Sequence, residues 1–424
     1  PLWDGDFESR LRAADVVLVT NMGVGLDSPF LERLERWLYA HHPKYWIDVV
    51  EPKKTDILYR NLGEEQRVRL ESYRRTSGVM NYVRLINGAF SMKPVSEWEE
   101  PDHIPWQAIM GRAGNIYETY DEFMEAEGHR EWPSIAVYFY RDEWVMGDIE
   151  YQQALLEEIY KHQYNPIIFY GQYGSNPRVG IPNMKLSMNH LFGKDVFPFD
   201  VLINTCKFSF QSLGAQTLEE LKLQGVPIVQ GYTIYMDEQS WAADPQGVTP
   251  LDVNLSISQP ELDGVIHGGV VACQTFDEQG HYMYLPVKER IGAVVQRAIK
   301  WSKLRHIPVS ERRVAIILHN YPPKNSNIGS AAGLDTPESV LRLLRQMQEE
   351  GYSIDSVPET SAALMDMVTS HMTNDRSMLT DELLGSAEGR MSSDDYKAYF
   401  ATLPEDTQAA MVKSWGEAPG DVFV

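Results

Sequence analysis

The 424-residue chain is 43% hydrophobic and 23% charged, a balance that suits a globular protein with length for two or three domains. A formal net charge of 22 negative offers no basic stripe to a phosphate backbone, which excludes nucleic acid as a partner. No run approaches the roughly 20 apolar residues that cross a bilayer, no signal-peptide pattern opens the chain, and Cys206 and Cys273 cannot make a disulfide framework, so a cytoplasmic protein without membrane contact is expected.

In chain order, Ala14–Thr20 (ADVVLVT) reads as a buried strand, and the segment from Ser28 to His42 carries apolar residues at helical spacing. Residues 61–132 read mostly as helices around YVRLINGAF. The middle alternates regularly: strand Ser134–Tyr140, helix Asp148–Gln163, strands Pro166–Gly171 and Phe199–Thr205, helix Ala215–Gly225, strand Val226–Gly231. A third block holds DVNLSIS, a helix over Pro286–His306, a strand over Arg313–His319, a helix capped by Thr336 with Pro337 in its first turn, and a short strand Tyr352–Val357. Beyond Ser361 the chain is helical and acidic.

Strands separated by helices of this length predict an α/β fold, with several Rossmann-like parallel-sheet domains and a helical C-terminal appendage. The expected divisions are 1–132, 133–248 and 249–424. A chain that opens on Pro1 and closes on GDVFV is expected to be a piece of a longer protein.

Two stretches invite chemistry. HNYPPKNSNIGSAAGLDTPES (His319–Ser339) follows an expected strand and precedes a helix, the side of a parallel sheet where ligands bind. It fits neither a Walker pattern nor GxGxxG, and its Asn and Asp residues also suit a rigid loop that caps its own turns. PELDGVIHGGV (Pro260–Val270) places Glu261, Asp263 and His267 within seven positions beside glycines, carboxylates and an imidazole that can bind a divalent metal or relay protons. The same residues also suit a plain turn. Arg141, after a strand end, and Arg178, in a glycine-containing loop, are candidates for anionic groups, with surface ion pairing as the ordinary alternative. Lys207 and its neighbouring phenylalanines suit an aromatic wall or, more commonly, core packing.

Residues Ile317–Tyr352, ILHNYPPKNSNIGSAAGLDTPESVLRLLRQMQEEGY, closely resemble the signature region of the large subunit of ATP-dependent cobaltochelatase, CobN, a family related to the H subunit of magnesium chelatase. PWQAIMGRAGNIYETYDEFME, SIAVYFYRDEW, FDVLINTCKFSF, LKLQGVPIVQG and QPELDGVIHGG follow in that family's order, as does the closing WG..PG motif at Trp415, Gly416, Pro419 and Gly420. Ser77 and Gly78 stand where the family often has paired glycines. The resemblance implies a subunit that holds a tetrapyrrole and an incoming divalent metal, while separate AAA+ subunits hydrolyse ATP. HNYPP and GLDTP are closer to the cobalt branch than to the magnesium branch, so cobalt and a corrin precursor, hydrogenobyrinic acid a,c-diamide, are the implied substrates. A magnesium–protoporphyrin enzyme and a tetrapyrrole carrier or sensor are the alternatives. Glu261 is then the expected proton acceptor, with Asp263 and His267 assisting, and Glu261, His267 and His319 as metal ligands. His319, Asn320, Asn325, Asn327, Asp335 and Arg141 are expected to position the tetrapyrrole.

Overall fold

Ser134–Tyr140 is a strand without an exposed residue, because both faces of the sheet that contains it are covered. Ile135, Val137 and Phe139 enter one core, whereas Ala136 and Tyr138 enter the other. Period-two alternation therefore feeds two apolar layers from one continuous hydrophobic run.

A computed structural model describes residues 5–15, 17–21, 29–41, 45–49, 59–60, 63–91, 93–171, 181–193, 196–278, 280–387 and 389–420. Arg178 and the loop around it lie outside these residues. The chain divides into two compact units, Pro1–His306 and Ile307–Val424.

In the first unit, β1 (Val17–Asn21), β2 (Tyr45–Val49) and β3 (Tyr59–Arg60) form a small sheet in that order, with β1 and β2 parallel. The larger sheet has eight strands: β4 (Ala108–Met110), β5 (Ile116–Tyr117), β6 (Ser134–Tyr140), β7 (Asn165–Gly171), β8 (Val201–Asn204), β9 (Ile228–Ile234), β10 (Ile266–Phe276) and β11 (Tyr282–Pro286). Their order across the sheet is β11-β10-β9-β8-β6-β7-β4-β5. From β7 to β10 the strands pair in parallel, and antiparallel strands flank both sides. Helices Glu150–Lys161 and Lys288–His306 cover one face, and helices Met184–Phe192 and Phe210–Leu223 cover the other.

The chain runs from β6 outward to β7, then returns to place β8 on the other side of β6. Such a reversal opens a crevice at the carboxyl ends of the strands, here between β6 and β8. The α/β expectation is met: among the described residues the large sheet is mostly parallel, and the small one pairs β1 and β2 in parallel. The large sheet runs across both expected divisions: β4 pairs with β7 across residue 132, and β9 pairs with β10 across residue 248. β10 is the longest strand, yet its glycine-rich start reads as a turn in the sequence.

In the second unit the helix Thr336–Glu349 forms as expected, with Asp335 rather than Thr336 as its cap: the Asp335 side chain accepts from the Glu338 N–H. Arg313–His319 and Tyr352–Val357 do not form strands. A strand exists only when its backbone pairs, and neither segment has a partner strand among the described residues.

Arg141 begins the helix that follows β6 and is only 1% exposed. Its guanidinium donates to the carbonyls of Pro105 (2.8 Å), Thr76 (2.7 Å) and Ile104 (3.2 Å), with Trp106 stacked on it. It is a buried clamp on backbone. Arg141→Met is expected to lower unfolding free energy by about 3 kcal/mol in urea titration, because three carbonyls lose a charged donor.

Candidate functional site

Glu261 ends the short helix Gln259–Glu261, and the turn that follows delivers the chain to β10. His267 Nε2 lies 3.7 Å from Glu261 Oε1, and His267 Nδ1 lies 2.7 Å from the Tyr232 hydroxyl. Burial pushes the Tyr232 hydroxyl up to about 12, so it stays a neutral hydroxyl that can donate to Nδ1 or accept from it. Both groups reach solvent, with side chains 67% exposed for Glu261 and 40% for His267.

The two glycines after His267 explain its placement. A Cβ on Gly268 would stand 2.5 Å from the Gln230 carbonyl oxygen, so only glycine lets the strands approach here. The register between β10 and β9 slips between His267 and Gly269 and again between Val270 and Ala272. These bulges re-aim the strand. Arg297, on the helix Lys288–His306, donates to the carbonyls of His267 and Gly268 and secures the irregular stretch.

Asp263 is engaged by a neighbouring helix. It is buried, accepts from the Ser209 hydroxyl (2.6 Å) and from the Phe210 N–H, and so occupies both carboxylate oxygens at the start of the helix Phe210–Leu223. A carboxylate is favoured there by the helix dipole. Asp263 holds the turn that carries Glu261.

The remaining expected residues belong to the second unit. His319 is exposed, 6.5 Å ring to ring from Tyr321, and its carbonyl accepts from Gly329 N–H at 2.7 Å. Asn320 bonds Asn374, and Asn325 accepts from the Thr373 hydroxyl while its N–H donates to Asp375. Asn327 donates to the Pro322 carbonyl at 2.9 Å. Asn320, Asn325, Asn327 and Asp335 thus spend polar atoms on closing and anchoring their own loop. Glu261 and His267 are brought together, whereas His319 lies in a separate unit. Among the described residues no group of three or more His, Cys, Asp or Glu side chains is assembled for a metal.

A second polar group occupies the crevice between β6 and β8. Lys207 follows β8 and is 6% exposed, with Nζ 2.9 Å from the Thr233 hydroxyl and 3.1 Å from the Tyr284 hydroxyl. Tyr235 and Tyr284 present ring faces to it at 4.0 and 5.0 Å. Glu143, one turn beyond β6, accepts from the Tyr151 hydroxyl (2.6 Å) and the Gln152 amide (2.7 Å), and Tyr151 contacts Thr205 at 3.1 Å. Burial pushes Glu143 up to about 8 and Lys207 down to about 8. In the sequence the only sign of this group is a charged residue directly after a buried strand. Tyr232 and Thr233 are successive residues of β9 and face opposite sides, so the His267 and Lys207 groups occupy different faces of the sheet.

Residues 71–424 match the CobN/Magnesium Chelatase family, and the chain belongs to that family. An uncharacterized protein of Methanocaldococcus jannaschii is 31% identical over 86% of this chain and 31% of its own length. The aerobic cobaltochelatase subunit CobN of Pseudomonas aeruginosa is 27% identical over 85% of this chain and 28% of its own length. The chain therefore spans less than a third of the length of these relatives. The fold is shared with the solved catalytic subunit of cobaltochelatase from Mycobacterium tuberculosis, with a TM-score of 0.57, 22% identity, and coverage of 100% of this chain and 34% of the other. No helix of the described residues is long and apolar enough to cross a membrane.

Gly268→Ala is expected to cost about 2 kcal/mol in denaturant unfolding and to shift the His267 ring signals in NMR, since the new methyl meets a carbonyl across the strand pair. Glu143 gives a pH signature. Its folded carboxyl titrates near 8 against an ordinary 4.5, so the folded state holds the extra proton and wild-type stability falls as pH rises through that window. Lys207, lowered to about 8, works in the opposite direction above pH 8. Glu143→Gln mimics the protonated acid within the same Tyr151 and Gln152 contacts. It is expected to gain on the order of 2 kcal/mol over wild type between pH 5 and pH 8, read from urea midpoints.

Proposed function

We propose that this member of the CobN/magnesium chelatase family is the tetrapyrrole- and metal-handling part of an ATP-dependent chelatase that inserts cobalt into a corrin precursor. The observation that carries this reading is the solvent-reachable Glu261–His267–Tyr232 chain, set at a glycine-enabled bulge in a chain that belongs to this family. Insertion of a divalent ion expels pyrrole N–H protons, so a base and a transient ligand are needed together. Glu261 is the proton acceptor. The proton taken up by Glu261 passes to the solvent that reaches it. His267, with its ring hydrogen on Nδ1 and donated to the Tyr232 hydroxyl, offers the Nε2 lone pair as a nitrogen ligand, which suits cobalt better than magnesium.

Energy comes from outside this chain, which has no Walker pattern. AAA+ ATPase subunits are the proposed partners. His319 and the Asn-rich loop are proposed to bind the tetrapyrrole, a role supported by the hydrogen bonds that fix the loop.

The test is metal insertion by the full-length subunit reconstituted with its ATPase partners, followed by absorbance of hydrogenobyrinic acid a,c-diamide and of protoporphyrin. Glu261→Gln is expected to lower the insertion rate by roughly 100-fold or more while tetrapyrrole affinity stays within about threefold. A wild-type rate in that variant removes Glu261 from the reaction. Tetrapyrrole binding by the wild-type protein with no insertion of either metal identifies a carrier instead.

A further inference from the structure

Lys207 is a buried cation whose partners are neutral. Its hydrogen bonds go to two hydroxyls, and among the described residues no carboxylate pairs with it. Asp252 and Glu143 act on it only through their fields; Asp252 is buried, with its oxygens bonded to the Tyr235 N–H and the Thr249 hydroxyl. A buried ammonium without a counter-ion is costly unless something brings a negative charge to it.

The surroundings are built with care for this one group. The Lys207 carbonyl is pinned by the Tyr140 hydroxyl at 2.8 Å. The next residue, Phe208, holds φ at 69°, a left-handed conformation that a bulky residue adopts only under constraint, and its N–H donates to the Leu255 carbonyl at 2.7 Å. The strained turn lets Lys207 point into the crevice while Ser209 caps the next helix. Tyr235 and Tyr282 stand at the rim, both substantially exposed. The group gathers at the carboxyl ends of the parallel strands, the side where open α/β sheets bind ligands.

We propose that Lys207 is a carboxylate-binding subsite, the tyrosines at its mouth packing against the flat body that carries the acid. One cation within the fields of Asp252 and Glu143 suits a monoanion and disfavours a phosphate dianion. The ligand is a flat carboxylic acid held apart from the Glu261–His267 pair, since the two groups lie on different faces of the sheet.

The experiment titrates protoporphyrin and its dimethyl ester into the 424-residue chain by Soret-band absorbance, and follows the Lys207 side-chain NMR signal with each probe. The wild-type chain is expected to bind the free acid about tenfold more tightly than the ester, and Lys207→Met to bind both at the ester's affinity. The free acid, and not the ester, is expected to shift the Lys207 signal of the wild-type chain, a result that does not depend on whether the variant folds. Equal affinity for acid and ester with the Lys207 signal alike under both, or binding of neither probe, overturns the carboxylate subsite and leaves the corrin reading standing.

Discussion

Burial of the parallel strands on both faces is the constraint from which the rest of the first unit follows. Ile135, Val137 and Phe139 point into one core and Ala136 and Tyr138 into the other, so the strand interiors have no room for a free polar side chain. Buried polar groups there must satisfy each other. Asn204 and Gln230 do so between β8 and β9, the Asn204 amide donating to Gln230 at 2.8 Å and the Gln230 amide donating to the Cys206 carbonyl at 2.9 Å. Chemistry is displaced to the strand ends and to irregular strands. Arg141 leaves β6 and clamps backbone, Lys207 leaves β8 and enters the crevice, and His267 emerges where β10 slips against β9.

The same burial determines what could be read from the sequence. SIAVYFY, PIIFYG, FDVLINT and VPIVQG are apolar runs of strand length between amphipathic helices, and each contains or overlaps a strand. β10 escaped because Gly268 and Gly269 look like turn residues, whereas here they permit a bulge inside a long strand. That one misreading also displaced the expected boundary at 248, since β10 is the strand that joins the third block to the sheet. Glu261 and His267 are legible as a pair because they are six positions apart, on either side of one turn. The Tyr232 partner is not, because it comes from the neighbouring strand, and no local spacing connects residues 35 positions apart.

Asp263 and Arg141 show why residue type alone misassigns roles. An aspartate beside a glutamate and a histidine reads as part of their chemistry, yet the start of a neighbouring helix offers it an N–H and a hydroxyl. An arginine after a strand reads as an anion receptor, yet three carbonyls of other segments converge on it. In both cases the deciding partner is distant in the sequence. The Asn-rich loop is the converse case: its asparagines bond the loop itself and the Thr373–Asp375 segment, so its turn-capping composition describes its structure well.

The apolar segment Arg313–Leu318 separates propensity from structure most clearly. Val314 and Ile316 are β-branched and alternate as in a strand, and the helix Thr336–Glu349 followed by Tyr352–Val357 completes the spacing of a strand-helix-strand unit. Nevertheless Ile317 is 91% exposed and the backbone is irregular. In β6 the same kind of residues are ordered because β7 and β8 satisfy their amides on both sides. A β-branched run supplies only the side-chain half of a strand; the other half is a neighbour that accepts its N–H groups. Pairing, rather than composition, therefore decides which of the chain's apolar runs become sheet.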